Sequence, residues 1–256
     1  VNRQELSTLA HRRHPIAAPL SDDSVDALLD EALPHEDARV LDLGCGGAPW
    51  LLRALSSRPR LRATGVDVSA SALRRAREDA HRLGVQDRLD VHQCDAAGFR
   101  DPEPFDLVIS VGATHAFGGL LPTLEAARTH LAPGGSILVG DGYWERTPSP
   151  EAVELLGECD DLATTVESVT AAGWTPVHAH LSTRRELDDY EWSWTGSLAS
   201  WALDHPDHPD SDQALRTAHA HRTEWLRVYR DCFGFACFVL RPTGGREPRE
   251  EGAGVQ

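Results

Sequence analysis

Three acidic residues and a run of glycines stand at a spacing that can hold a hydroxyl-rich, nucleoside-bearing ligand. The stretch VLDLGCGGAPW places Asp42 just ahead of Gly44, Cys45, Gly46 and Gly47; Asp67 follows in GVDVS and Asp95 in QCDAAGF. A glycine-rich turn that opens a helix presents backbone N–H groups and the positive end of the helix dipole, and lets a ligand approach the main chain closely. An acidic side chain about twenty residues further on is where both ribose hydroxyls can be accepted. A carboxylate at a third strand end can take an exocyclic amine of a purine. Alone, Asp67 or Asp95 is an ordinary solvated turn carboxylate; their register with the glycines carries the functional reading.

A second group of residues suits the reacting end of such a ligand. His115, in GATHAF, has an unperturbed pKa near about 6.5, which suits proton removal, although a loop histidine can equally just pack. Tyr143, Trp144 and Glu145 follow the run SILVGDG. An aromatic pair with a carboxylate can shape a pocket for an electron-rich or cationic partner, or Trp144 can cap the core. In DDYEWSWTGSLASW, Trp194 and Trp201 stand seven apart on one helical face and read as packing, which leaves Glu191 and Trp192 as candidates to face a pocket. The histidines of HPDHPD, with His219 and His221, lack the helical i, i+4 spacing of common zinc pairs, so surface histidine and no metal are expected. RRAR near Arg74 reads as a solvated helix face.

These residues need a scaffold that brings strand ends together. RVLDLG is a short apolar run bounded by glycine, which reads as a central parallel strand. Beyond it the pattern alternates: helix APWLLRALSSR, strand LRATGVDV, helix SASALRRAREDAHRLG between Ser69 and Gly84, strands RLDVHQCD and FDLVISVG, helix LLPTLEAARTHL, turn PGG and strand SILVGDG. Five strands with crossover-length connections predict an open parallel sheet, whose ligands bind at the carboxyl ends of the strands. Before it, Ser21 caps a helix over DDSVDALLDEAL, preceded by a Pro-containing segment, HPIAAPLS. After it come helices, the strand WTPVHAHL, a mostly helical insert and the strand CFGFACFVL.

Two ligands compete for the glycine turn. The dinucleotide fingerprint G-x-G-x-x-G needs a third glycine where Pro49 stands, and Asp42 has no part in it. By contrast VLDLGCGGAPW, GVDVS, CDAAG, FDLVISVG and LAPGGSILVGDGYW, in this order over roughly residues 36–145, resemble the class I S-adenosylmethionine-dependent methyltransferases. One departure is Ala48, which stands where the family's G-x-G-x-G has its last glycine; alanine is expected to fit. The resemblance implies an α/β, Rossmann-like, seven-stranded sheet of order 3-2-1-4-5-7-6 with strand 7 antiparallel and helices on both faces. HPIAAPLS, GATHAFGG and YEWSW are further similar to a subgroup of bacterial small-molecule methyltransferases.

The resemblance also implies roles. S-adenosyl-L-methionine is the expected cofactor and S-adenosyl-L-homocysteine the product. Asp42 would engage the amino group of the methionine portion, close to Gly44, Cys45 and Gly46. Asp67 and Val68 would meet the ribose, Asp95 the adenine amine and Ala96 the ring through its N–H, with Val111 at the end of strand four. His115, Tyr143 and Glu145 are the candidate catalytic residues; Trp144, Glu191 and Trp192 are the candidate acceptor contacts. Methyl transfer from a sulfonium is a direct displacement, so a protein supplies alignment, dryness and, for a protic acceptor, a base. The acceptor expected is a small molecule with an O, N, S or C nucleophile, one of specialised metabolism for instance. Alternatives are a nucleic-acid or protein methyltransferase of the same fold, an NAD(P)-dependent oxidoreductase, and a module that binds the cofactor without turnover.

Composition narrows the field. The chain of 256 residues carries a formal net charge of −15, spread along its length, which disfavours phosphate backbones as partners. Its 25 basic residues are all arginine, so P-loop and Schiff-base chemistry, which need lysine, are closed to it. Five cysteines without a C-x-x-C pair predict reduced thiols. No apolar run approaches about 18 residues and the opening residues lack a signal-peptide core, so a cytoplasmic protein without membrane association is expected. One domain over 1–241 is expected, with an N-terminal helical segment (1–35), a helical cap insert (182–231) and a flexible tail (242–256).

Overall fold

The alternating apolar runs form seven strands in the computed structural model, which describes residues 9–244; the helical stretch expected before residue 9 and the tail beyond residue 244 lie outside the described residues. The strands are β1 (Arg39–Leu43), β2 (Arg62–Asp67), β3 (Leu89–Gln93), β4 (Phe105–Val111), β5 (Leu131–Trp144), β6 (Trp174–Leu181) and β7 (Phe233–Pro242). They make one sheet in the order β3-β2-β1-β4-β5-β7-β6. β1 to β5 run parallel, and β7 runs antiparallel to both β5 and β6. This is the Rossmann-like order that the resemblance implies.

Helices among the described residues surround the sheet: α1 (Asp22–Ala32), α2 (Pro49–Ser57), α3 (Ala70–Leu83), α4 (Leu120–Arg128), α5 (Pro150–Leu156), α6 (Leu162–Ala171), α7 (Arg184–Asp204) and α8 (Ser211–Glu224). Local chemistry sets their ends. Ser21 and Ser69 accept from the backbone N–H of Ser24 and Ala72 as N-caps of α1 and α3, and Gly84 closes α3 at φ 69°. One sheet face buries Val40, Leu107, Ile109 and Leu138 together with Leu28 and Leu51 from α1 and α2. The other buries Leu41, Val108, Val139 and Phe238 together with Leu124 and Val169 from α4 and α6. Each such side chain contributes about 1.5–3 kcal/mol, so the two layers fix the strand ends firmly.

β5 differs from expectation at both ends. PGG, read from the sequence as a turn, lies within the strand at a register irregularity between Phe105 and Leu107, where Gly134 takes φ +82° and a Cβ on Gly135 would stand 3.1 Å from three carbonyl oxygens. Tyr143 and Trp144 do not follow the strand but end it, paired with Gly234 and Phe233 of β7. The cause is long-range: β7 extends the ladder beyond the reach of β4.

The late insert consists of α7, α8 and a π-helical turn over Trp225–Tyr229. It leaves and rejoins the sheet at the rim where the parallel strands end, with Ser182 N donating to Phe235 O at 2.9 Å and Glu145 N to Cys232 O at 2.8 Å. The segment ahead of α1 crosses the same rim: Ile16, Ala18 and Leu20 are buried, and a Cβ on Gly112 would lie 2.8 Å from the Ala17 carbonyl oxygen. Thr243 still bonds to the sheet edge, donating from its N–H to Gly173 O.

Candidate active site

The glycine turn is tied to the end of β2 by three backbone donors. Gly44 N and Cys45 N both donate to Val66 O at 2.9 and 3.0 Å, and Gly46 N donates to Asp67 Oδ2 at 2.8 Å. The other oxygen of Asp67 accepts from Ser69 N at 2.8 Å, so one carboxylate joins the turn to the start of α3. Each carboxylate oxygen has a second lone pair, which leaves Asp67 able to accept hydroxyls as well. Gly44 is at φ +90°, and a Cβ there would stand 2.5 Å from the Ala113 Cβ. Gly46, at φ +53°, faces open space, with nothing within 4 Å of a Cβ. A ligand can therefore come directly against this main chain.

Asp42 lies under the turn, between Gly65 of β2 and Ile109 of β4, and is 3% exposed. Its Oδ2 has no hydrogen-bond partner. Burial and, after it, the Asp67 carboxylate push the Asp42 carboxyl up to about 8. An orphaned buried carboxyl beside an open glycine turn fits a ligand that brings a cationic donor. Cys45 is buried, and its Sγ would stand 2.8 Å from a Cβ on Gly65. Burial and the Asp42 and Asp67 charges push its thiol far up, so it packs as a neutral side chain. Val68 is exposed at the lip, with its carbonyl accepting from Gln93. Asp95 is exposed and caps the short turn Ala96–Gly98 through Ala97 N at 3.0 Å, while Ala96 is buried with Phe99. Val111 is half-buried at the end of β4, against the position of a Cβ on Gly140.

Beyond the glycine turn, β4 leads into a short turn over Thr114–Phe117. Thr114 is buried and His115 is exposed, and both lie on the side of Asp141 where they act against the effect of its burial. Asp141 lies in β5, with an oxygen accepting from Gly142 N at 2.8 Å, and burial raises its carboxyl above the usual range. Asp141 is not among the residues singled out from the sequence. Its signal was a single acidic residue at the end of the apolar run SILVG.

The other candidates hold positions in the packing. Tyr143 is buried in the core with its ring against Gly234, where a Cβ would come within 2.5 Å of the ring, and burial followed by the Glu145 charge raises its hydroxyl. Glu145 itself is bound by Arg184 of α7 at 2.8 Å. Trp144 packs with Trp225, Tyr229 and Cys232, and its indole N–H has no partner. Glu191, 9% exposed, accepts from the Tyr229 hydroxyl at 2.9 Å and bonds His221 Nε2 at 2.7 Å, with Trp194 stacked on the His221 ring. Trp192 lies on the outside of the insert, 51% exposed, edge-on to Trp225. The structure thus groups Asp42, Gly44, Cys45, Gly46 and Asp67, places His115 and Asp141 at the adjoining ends of β4 and β5, and assigns Glu191 to a separate network within the insert. Among the described residues no group of three His, Cys, Asp or Glu is arranged to hold a metal ion, and all five cysteines are free.

A profile for the methyltransferase domain matches residues 34–195. The chain belongs to the methyltransferase-domain family. This methyltransferase is 27% identical over 249 residues to YjhP of Escherichia coli (strain K12), covering 91% of the chain and 96% of the relative. Its fold matches the solved structure of a SAM-dependent methyltransferase from Geobacter sulfurreducens in complex with S-adenosyl-L-homocysteine with a TM-score of 0.86 at 25% identity, over 93% and 98% of the two chains. A trans-aconitate 2-methyltransferase of Streptomyces avermitilis is 34% identical over 135 residues, which span 52% of this chain and 47% of that protein. As a class I methyltransferase the chain takes its methyl group from S-adenosyl-L-methionine, which removes the dinucleotide-dependent oxidoreductase from consideration. When bound, this cofactor supplies an electrophilic methyl group on a sulfonium centre.

Proposed function

We propose that the methyltransferase acts on a small-molecule acceptor held where β4 and β5 end, with His115 as the proton acceptor. The observation that carries this reading is the position of Thr114, His115 and Asp141 at the adjoining ends of β4 and β5, beside the glycine turn and under a rim crossed by Ile16 to Leu20. Asp141 is held within β5 by Gly142 N, which donates to its Oδ1 at 2.8 Å. Burial of the rim excludes water from a displacement that needs aligned, dry partners.

On the cofactor side, Asp42 receives the amino group of the methionine portion, with Gly44, Cys45 and Gly46 alongside. Asp67 and Val68 take the ribose, Asp95 and Ala96 the adenine, and Val111 closes the floor. The net charge of −15 supports a small acceptor over a nucleic acid. So does the partial similarity to a trans-aconitate 2-methyltransferase.

The test is a screen of small-molecule acceptors by release of S-adenosyl-L-homocysteine, followed by His115→Ala on the acceptor found. Loss of the base lowers kcat by about 100-fold or more, while calorimetric affinity for S-adenosyl-L-homocysteine stays within twofold of the parent. An unchanged kcat removes His115 as the base.

A further inference from the structure

Asp42 is the carboxyl of this site that has no donor for a fully enclosed oxygen. Its Oδ2 is unpartnered, it is 3% exposed, and its strand neighbours Gly65 and Ile109 bring no charge. Two titratable groups face it: the Cys45 thiol of the turn, held neutral by burial, and the Asp67 carboxylate at the end of β2, a like charge. Asp67 is fixed as an anion's acceptor by Gly46 N and Ser69 N. Of the two neighbouring carboxyls, Asp42 is therefore the one on which ionisation is costly, because a buried anion without a donor beside another anion has nothing to offset its desolvation.

We infer that Asp42 carries a proton in the ligand-free protein and gives it to solvent when an amino-acid ammonium group arrives, so that cofactor binding releases one proton and weakens in acid. The balance is simple. The neutral Asp42 carboxyl and the ligand's ammonium become a carboxylate–ammonium pair, and the carboxyl proton passes to buffer. The ligand supplies the cationic donor that the fold withholds, and the pair becomes self-compensating. The raised carboxyl of the ligand-free protein agrees with this geometry. The inference rests on the reading of Asp42 as partner of the amino group and goes beyond it to the linkage.

S-adenosyl-L-homocysteine is a stable probe, titrated calorimetrically at about pH 6.5 in buffers of different ionisation enthalpy, such as phosphate and Tris. Below about pH 7.5 the ligand's ammonium keeps its own proton, so a released proton comes from the protein. Expected is an observed enthalpy that changes with buffer by one proton taken up, and a Kd that tightens by about tenfold per pH unit from about pH 6 to about 7.5. Asp42→Asn binds with an enthalpy independent of buffer and a flat pH profile. Should that variant fail to fold or bind, an analogue of the probe lacking the amino group serves on the parent protein, and it binds without releasing a proton. A parent enthalpy independent of buffer, or equal proton release by Asp42→Asn or with the desamino analogue, overturns the inference. Absence of any binding to the parent protein overturns the cofactor site itself, a separate result.

Discussion

At φ 57° and ψ 36°, Ala48 occupies the left-handed region, where the Cβ of an L residue crowds the following carbonyl and costs about 1–2 kcal/mol. It is the sole non-glycine residue with positive φ among the described residues, and it stands where the family's third glycine would be. The sequence reading expected alanine to fit. It fits in volume, since it is fully buried, but in a conformation that glycine adopts freely. Glycine at this position would lose more chain entropy on folding, which offsets part of the gain. Ala48→Gly is expected to raise stability by up to about 1 kcal/mol, read as a higher denaturation midpoint in urea; a lower midpoint contradicts the strain. Single residues were legible where type alone dictates geometry, as with Gly44, Gly46 and Asp67. Asp141 was not, because its meaning depends on Thr114 and His115, which another strand brings to it.

Whole elements are joined by one buried carboxylate. Glu186 completes the capping box of α7 through Thr183, and its Oε1 accepts from Ser21 N at 2.9 Å and Ser24 Oγ at 2.6 Å at the start of α1. Burial acts to raise its pKa, but donors from Ser24, Ser21 and Thr183 together outweigh it and hold the group down at about 2. A folded-state value below the unfolded one gives stability that is complete above about pH 4.3 and disappears as pH falls toward 2. Glu186→Gln is expected to cost on the order of 2 kcal/mol at neutral pH and to flatten the loss of thermal stability between about pH 5 and about 2; a variant as acid-sensitive as the parent contradicts it. The helix caps at Ser21 and Ser69 were readable because caps are local. Glu186 was not, since its partners on α1 lie more than 160 residues away. The same distance hid the ends of β5 and the partners of Glu191, because strand pairing and buried networks are settled by the chain's return and not by its local pattern.

The charge of the molecule as a whole bears on what it can meet. With −15 distributed over both ends of the chain and no lysine, the protein surface repels polyanions at any separation shorter than the roughly 10 Å screening length of 0.1 M salt. The protein is expected to pass through a heparin column without retention at that salt and to bind S-adenosyl-L-homocysteine equally well with and without added duplex DNA or RNA. Retention, or competition by a polynucleotide, would favour a nucleic-acid acceptor. No helix among the described residues is long and apolar enough to cross a membrane. The parallel strands were legible in the sequence as short apolar runs between glycines and helices, and the sheet order and cofactor class followed from the family resemblance; what the N-terminal segment covers was not legible, because HPIAAPLS reveals only that it is extended.

The excursion from Ser182 to Cys232 starts and finishes on adjacent strands at one rim, its stems pinned by Phe235 O and by the backbone of Glu145. Beyond the first turn of α7, which Glu186 ties to α1, such an arrangement has the form of a cassette. Recombination or drift can lengthen, shorten or exchange what lies between the stems while the register of β5, β7 and β6 persists, and the floor built on Asp42, Gly46 and Asp67 belongs to none of the exchanged chain. Evolution can thus re-tailor the ceiling of the molecule without renegotiating its foundation.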